Sequence, residues 1–366
     1  MMIRERVTTP NRTYEIVIGP RLLPRTGEFL QELKVRQTSR HLVITDENVR
    51  AAGHLEPVLA SLQSAGYQAD VYVIPPGEAS KSLERAGAAF QYAYEIGLDR
   101  RSVVLALGGG VVGDFAGFVA AGYMRGIDFV QLPTTLLAHD SAVGGKVAVN
   151  LPQAKNIVGA FHQPLAVLYD TEALKTLPLR ERRAGLVEAI KHGLIRDRDL
   201  FDWIEEKMDV ILSGEDAVVA ELLARSCRIK AEVVSQDEKE LGLRAILNFG
   251  HTLGHAVEGL ANGRFVHGEA VAIGLVAAAD LSVELGYCER SDLVADTERV
   301  LIKAGLPTRI PQDLGAKDLL VSMRKDKKAT GATLTFVLLR DIGETEIVHD
   351  VPEAAVRRMI DKWREE

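Results

Sequence analysis

The sequence predicts an α/β N-terminal domain built on a mostly parallel sheet, followed by an all-α C-terminal domain, with the division near residue 178. Three observations carry that prediction. The first half alternates short β-rich runs with helical stretches. The stretch from 180 to 304 is almost wholly helical in period. The chain has 366 residues, which is long for a single core and comfortable for two. Residues 1–178 are therefore assigned to the α/β domain and 179–366 to the mainly helical one.

In chain order, strands are expected at 14–18, 41–45, 71–74, 102–107, 129–132 and 166–169. Each run is rich in Val, Ile or aromatic residues, and several end in Gly, Asp or Pro. Helical segments at 55–65 and 83–96 lie between them. After Leu177-Pro178 the sequence turns Ala- and Leu-rich, with few β-branched clusters and stops at Gly or Asn. A short β signal returns at 333–339. There is no long Pro/Ser linker and no internal repeat. Close packing of the two domains is expected, with a cleft between them as the default ligand site.

Hydrophobic residues make up 47% of the chain and charged residues 26%, which suits an ordered soluble protein. A formal net charge of −7 argues against nucleic acid as the main partner, because phosphate backbones select basic surfaces. A small anionic substrate stays compatible, since a local group of Lys and Arg can sit inside an acidic protein. The two cysteines, Cys227 and Cys288, form no C-x-x-C pair, so neither a disulfide framework nor a thiolate zinc knuckle is expected. Buried reduced thiols in a cytoplasmic protein are expected instead. The first residues lack the apolar core of a signal peptide. The most apolar stretches, near 111–124 and 271–283, are interrupted by Asp114 and Asp280, so no membrane span is expected.

The 102–107 strand runs straight into Gly108-Gly109-Gly110-Val111-Val112-Gly113-Asp114, and a helical segment follows. Gly108, Gly110 and Gly113 fit G-x-G-x-x-G. Glycines there let a backbone approach a pyrophosphate, and N–H groups at the helix start hold its charge. Taken alone, the match also fits a tight strand-to-helix turn. Asp46 ends a strand where a ribose hydroxyl would be bound, and the loop Pro76-Gly77-Glu78-Ala79-Ser80-Lys81 sets an acid and a base three apart after another strand. The glycine turn follows the fourth sheet element rather than the first, so a Rossmann-like sheet with a variant nucleotide site is expected. Beyond Pro133-Thr134-Thr135 lies His139-Asp140-Ser141-Ala142-Val143-Gly144-Gly145-Lys146, with Lys155-Asn156 later. A Walker A reading fails, because Asp140 stands where a Gly is required and Val147 where Ser or Thr would hold magnesium. What remains is a polar loop that fits either a solvated surface or an anion site.

His251 and His255 lie four apart in a helical segment and so share a face. Residue 252 is Thr, so the glutamate of a zinc protease is missing. His267 follows a short loop that can fold back, and Glu188 on the helix starting near 180 can supply an oxygen. Two or three histidines with one carboxylate suit zinc or a similar ion that keeps an open coordination position. Spacing alone leaves all three histidines as candidate ligands, or as satisfied helix residues. An open metal beside NAD would lower the pKa of a substrate hydroxyl while nicotinamide takes the hydride. Lys191, Lys230, Arg244, Lys327 and Lys328 gather around this segment in sequence and suit a substrate with more than one negative group.

With these residues assembled, the chain from about 40 to 340 resembles the 3-dehydroquinate synthase family of sugar phosphate cyclases. The resemblance rests on 108–114, Tyr123-Met124-Arg125-Gly126, 133–137, 140–146, Lys155-Asn156, Gly185-Leu186-Val187-Glu188-Ala189-Ile190-Lys191, Lys230 through Asp237-Glu238-Lys239-Glu240, and Arg244 through Asn248-Phe249-Gly250-His251. It implies Glu188, His251 and His267 as ligands of zinc or cobalt. It turns His255 toward the substrate, where it supports proton transfer with Glu240, and it counts Lys191, Asp140 and Lys146 with these catalytic groups. It implies that NAD is held by Asp46, Glu78, Lys81, Gly109, Gly110, Asp114, Thr134, Thr135, Lys146 and Lys155, helped by Ala173, Leu174, Lys175 and Thr176. A seven-carbon keto acid phosphate would meet Arg125, Asp140, Lys146, Asn156, Lys191, Lys230, Arg244, Asn248 and one of Lys327 and Lys328, with Lys328 preferred. The implied reaction oxidises a ring hydroxyl, eliminates phosphate, returns the hydride, opens the pyranose and closes a carbocycle, with no net redox change. A homodimer is also implied.

The chain departs from the family's usual pattern at His192, where Tyr is common, at Val147, where Thr is, and at Leu151, where His is frequent. None of these removes a group the chemistry needs. Three rival readings differ in what they require. Sister cyclases acting on sugar phosphates without a carboxylate would not need Lys230, Arg244 and Asn248. A polyol dehydrogenase of related architecture would need fewer lysines and would accumulate NADH. A non-catalytic nucleotide-binding regulator with a structural zinc would need cysteines that are absent.

Overall fold

A computed structural model describes residues 2–326 and 334–365. The chain forms two compact units, one comprising Met1–Pro178 with Gly214–Lys239 and the other Leu179–Ser213 with Glu240–Glu366.

The first unit is a seven-stranded sheet. Its strands are β1 (Ile3–Thr8), β2 (Thr13–Gly19), β3 (Arg40–Asp46), β4 (Gln68–Ile74), β5 (Val103–Gly108), β6 (Asp128–Pro133) and, after a separate hairpin of β7 (Lys146–Leu151) and β8 (Ala154–Phe161), β9 (Ala166–Asp170). The spatial order is β1-β2-β9-β6-β5-β3-β4. Only β1 and β2 pair antiparallel in this sheet, while the other neighbours run parallel. Successive side chains point to opposite faces of a strand, and here both faces are covered. Val43, Leu105, Leu107, Val130, Leu132 and Leu168 pack with Phe29, Leu30, Val58 and Leu62 on one side. Leu42, Ile44, Val104, Ala106 and Phe129 pack with Ala89, Phe115 and Val119 on the other. Covering both faces is why the parallel strands read as continuous apolar runs. Each fully buried Val, Leu or Phe contributes about 1.5–3 kcal/mol. The helix Asp216–Gln236 belongs to this unit and packs against β1 and β2.

The second unit is mainly helical. Around the helix His267–Glu284, whose residues are buried on nearly every side, pack the helices Leu179–Arg196, His251–Leu260, Leu293–Lys303 and Glu353–Trp363. One antiparallel hairpin, β10 (Leu334–Asp341) with β11 (Glu344–Val351), joins this helical layer, and β10 overlaps the β signal read at 333–339. Both cysteines are buried and free, and burial pushes the Cys227 thiol up to about 12. Among the described residues no helix is long and apolar enough to cross a membrane.

Candidate active site

In the first unit the expected nucleotide residues gather at the C-terminal edge of the parallel strands. The chain order reverses beside β3: β4 lies on one side of it, and β5, β6 and β9 follow on the other. Ligands of open α/β sheets bind at such a switch point, outside the carboxyl ends of the strands. Thr45 pairs with Leu107 and Gly108 with Pro133, so Asp46, the glycine turn and Thr134 leave the sheet at one level. The Thr134 amide donates to the Gly108 carbonyl at 3.0 Å. Asp46 accepts from the Val49 amide at 2.8 Å and caps a short helix with that oxygen.

The helix Gly110–Gly122 begins directly at the turn, with Gly109 as its N-cap. A Cβ on Gly109 would lie 2.7 Å from Thr135 Cγ2, so a side chain there would have to displace Thr135. Among the described residues Thr135 Oγ1 is buried with no hydrogen-bond partner. Lys81, only 4% exposed, sits 2.6 Å from Asp114 and 3.8 Å from Glu78. Burial pushes the Asp114 carboxyl up, against the pull of Lys81. Lys230 pairs with Asp140 at 2.9 Å. Lys175 is engaged by Asp216 at 2.5 Å, and Thr176 by His54 at 2.8 Å, in the turn Ala173–Thr176 after β9.

Lys146, Lys155 and Asn156 lie exposed on the β7–β8 hairpin. Sequence reasoning missed the residue that ties this hairpin to the Glu78–Lys81 loop. Asn150 donates its side-chain amide to Glu78 Oε1 at 2.7 Å and its backbone N–H to the Lys81 carbonyl at 2.7 Å. Its own Oδ1 accepts the Asn156 amide at 2.8 Å. Arg125 is not brought to this edge. It follows the far end of the helix Gly110–Gly122, about 20 Å along the axis from the glycine turn at 1.5 Å per residue.

In the second unit three helices converge. Glu188 lies in the helix Leu179–Arg196, and His251 and His267 open the helices His251–Leu260 and His267–Glu284. Two glycines allow the convergence. A Cβ on Gly268 would lie 2.0 Å from the Ala184 carbonyl oxygen, and one on Gly274 1.9 Å from that of Gly250. Any larger residue would force the helices apart. One ligand atom from each of Glu188, His251 and His267 falls within 4.8 Å of the others. Glu188 Oε1 is 3.6 Å from His251 Nε2 and 3.6 Å from His267 Nε2. The far nitrogens are held from outside, His251 Nδ1 by the Phe249 carbonyl at 3.1 Å and His267 Nδ1 by Glu258 Oε2 at 3.0 Å. Glu258 is the second residue that sequence reasoning missed. It stands seven beyond His251 and three beyond His255, a spacing that puts all three on one helix face.

Around this centre, Lys191 forms an ion pair with Glu188 and both are 1% exposed. His255 sits beside both of these histidines, its ring centroid 5.2 Å from that of His251 and 5.9 Å from that of His267. Asn248 donates to Glu240 Oε1 at 2.7 Å. Arg244 is 1% exposed and among the largest fully buried side chains. Burial, aided by the positive charge of Lys191, pulls His251 down to about 3. Burial also works to lower His267, but hydrogen bonds to Glu188 and Glu258 outweigh it and lift that ring to about 9. Lys327 and Lys328 lie outside the described residues.

Comparison with known proteins adds to this geometry. A family model described as 3-dehydroquinate synthase N-terminal matches residues 71–184, and one described as 3-dehydroquinate synthase C-terminal matches 185–329. The chain is 46% identical over 353 residues to the 3-dehydroquinate synthase of Desulforamulus reducens, covering 96% of this chain and 97% of the relative. Among solved structures it is similar to a 2-epi-5-epi-valiolone synthase from Streptomyces hygroscopicus subsp. jinggangensis 5008 with NAD+ and Zn2+ bound. That match has a TM-score of 0.88 at 27% identity and covers 97% of this chain and 98% of the other. It is also similar to a 2-deoxy-scyllo-inosose synthase complexed with carbaglucose-6-phosphate, NAD+ and Co2+, with a TM-score of 0.87 at 25% identity, covering 99% and 100%.

Proposed function

The chain belongs to the 3-dehydroquinate synthase family, and from that premise we propose that it converts 3-deoxy-D-arabino-heptulosonate 7-phosphate to 3-dehydroquinate and phosphate, using NAD and a divalent ion catalytically. The reaction class is that of a carbon–oxygen lyase. The observation that carries the reading is the convergence of Glu188, His251 and His267, with both Nε2 atoms turned toward one carboxylate oxygen.

The residues fit both groups. Two imidazoles and one carboxylate make a three-donor set of the kind that holds zinc or cobalt and leaves a position open. The glycine cradle at Gly109 and the unpartnered Thr135 hydroxyl suit a ligand pressed against backbone. We assign the metal to Glu188, His251 and His267. We assign NAD to Asp46, Glu78, Lys81, Gly109, Gly110, Asp114, Thr134, Thr135, Lys146, Lys155 and the turn Ala173–Thr176. When bound, the ion acidifies a substrate hydroxyl and NAD takes and later returns a hydride.

The protein's own groups do the rest. Glu240, oriented by Asn248, and His255 hold and move protons. Arg244 and Lys191, already stripped of most water, neutralise substrate anions with charge-assisted hydrogen bonds. Lys230 and Asp140 act as a pair, with Lys146, Asn156 and Lys328 completing the substrate set that the resemblance implies; Arg125 belongs to that set by resemblance alone, since its helix carries it away from the glycine turn. A cytoplasmic homodimer is proposed on family grounds.

The test supplies the substrate with NAD at well below one equivalent and follows phosphate. Many turnovers per NAD, abolished by a chelator, are expected. Release that stops at one equivalent of NAD, or no release, overturns the reading. The sister cyclases are the second reading, favoured by the two cyclase structures named above. The resemblance argues against them, because Lys230, Arg244 and Asn248 resemble the carboxylate-binding set of the 3-dehydroquinate synthase family. A sugar phosphate without the carboxylate is therefore expected to give no phosphate release.

A further inference from the structure

The structure assigns Glu258 as a positioning residue for the metal centre, acting through His267. The inference rests on the ligand set proposed above and goes beyond it, since Glu258 is not one of the three donors. Glu258 Oε2 lies 3.0 Å from His267 Nδ1, while His267 Nε2 lies 3.6 Å from Glu188 Oε1. A carboxylate accepts hydrogen bonds only, so Nδ1 must carry the proton. When the ring gives up its second proton, Nδ1 keeps the one held by Glu258 and the Nε2 lone pair is left facing Glu188, the one tautomer that can ligate from that side. His251 is fixed in the same sense by a different acceptor, the Phe249 carbonyl at 3.1 Å.

The helix His251–Leu260 thus carries one ligand and, two turns on, the outer partner of another. Glu258 is also largely shielded, its side chain 16% exposed, so water competes weakly for the imidazole. Carboxylate–histidine pairs of this kind raise the basicity of the ligand and fix its orientation. The competing account makes Glu258–His267 an ordinary ion pair joining two helices. That account predicts a stability effect and no effect on the metal.

The experiment measures zinc affinity by chelator competition, and the melting temperature of the metal-free protein, for Glu258→Ala and Glu258→Gln. Zinc affinity is expected to fall about 10–100-fold in Glu258→Ala, the usual cost of losing an outer partner. It should fall less in Glu258→Gln, whose amide oxygen still accepts from Nδ1–H. A changed visible absorption of the cobalt-loaded Ala variant is expected alongside. Zinc affinity equal to that of the unaltered protein in both variants overturns the assignment, and so does a lowered melting temperature with affinity unchanged. If Glu258→Ala does not fold, Glu258→Gln decides on the same affinity criterion. His267→Ala separates the two layers of the argument. If it too binds zinc normally, the ligand set is wrong; if it loses zinc while both Glu258 variants keep it, only the role of Glu258 falls.

Discussion

His251 and His267 carry the same ring, begin neighbouring helices and face one carboxylate, yet their basicities are driven in opposite directions. Burial and Lys191 hold His251 at about 3, whereas Glu188 and Glu258 lift His267 to about 9 despite its burial. The sign follows directly. In the metal-free protein a protonated His267 stabilises the fold fully below its ordinary value of 6.5, and that contribution is lost as pH rises through about 9. A metal needs the neutral ring, so zinc must expel that proton, roughly nine-tenths of one per ion at pH 8. Calorimetric titration at pH 8 in buffers of different ionisation enthalpy should register the release. Binding without proton uptake by the buffer would show that the Glu258 and Glu188 contacts do not hold the proton. His255→Ala makes a complementary prediction: metal content should stay at that of the unaltered protein while turnover falls at least tenfold, a transition-state contribution of about 1.4 kcal/mol. Loss of the ion would make His255 a ligand after all. The three histidines were legible from their spacing, because i, i+4 pairs declare a shared face. Glu258 was not, because one acid among many carries no signal until its partner's Nδ1 is located. The backbone holds a related signal that sequence alone does not print. Arg125, Asn156 and Glu240 adopt positive φ, at 68, 55 and 58°, as do Arg21, Lys34, Met124, Asn262 and Asp350 outside the proposed site, so this strain accompanies functional positions without singling them out.

Among the elements, the strands of the main sheet that carry an apolar or aromatic run were readable, the half-buried edge strand β4 included, and strands dominated by exposed polar residues were not. β2, β3, β4, β5, β6 and β9 each overlap a β-branched or aromatic run. β1 alternates exposed charge with half-buried residues, in the sequence IRERVT, and β8 is exposed along most of its length. Neither offers the apolar run that marks a core strand. The helix Asp216–Gln236 shows a second limit: its period announces a helix, but nothing in it announces that it packs on β1 and β2, far back in the chain. The glycine turn was legible in type, and its physical requirement lies in one contact. Gly109→Ala would press its methyl onto Thr135 Cγ2 at 2.7 Å and shift the start of the following helix. NAD affinity should fall by about tenfold or more, in line with the 1–3 kcal/mol typical of overpacking, while zinc affinity is retained. Adding Thr135→Ser removes the opposing methyl and should recover part of the loss. Full NAD affinity in Gly109→Ala, or no recovery in the double variant, would show that this contact does not shape the nucleotide site.

At the scale of the whole molecule, the two proposed cofactor sets fall in different compact units. Every residue assigned to NAD, from Asp46 to Thr176, lies in the unit made of Met1–Pro178 and Gly214–Lys239, and all three proposed metal ligands lie in the other. No residue serves both sets. With no residue assigned to both groups, the two cofactors should bind without strong coupling in the absence of substrate. Protein treated with a chelator is expected to bind NAD within about threefold of the metal-loaded protein, which corresponds to under 1 kcal/mol of coupling. Fluorescence titration with NAD before and after metal removal measures this. The same chelated sample should release no phosphate, and adding back zinc or cobalt should restore turnover. A tenfold or larger loss of NAD affinity on chelation would mean that the ion also organises the nucleotide site, and the assignment of the two sets to separate units would then fail as an account of function. Catalysis that depends on both cofactors, with binding that does not, is the pattern expected when the substrate supplies the link between them.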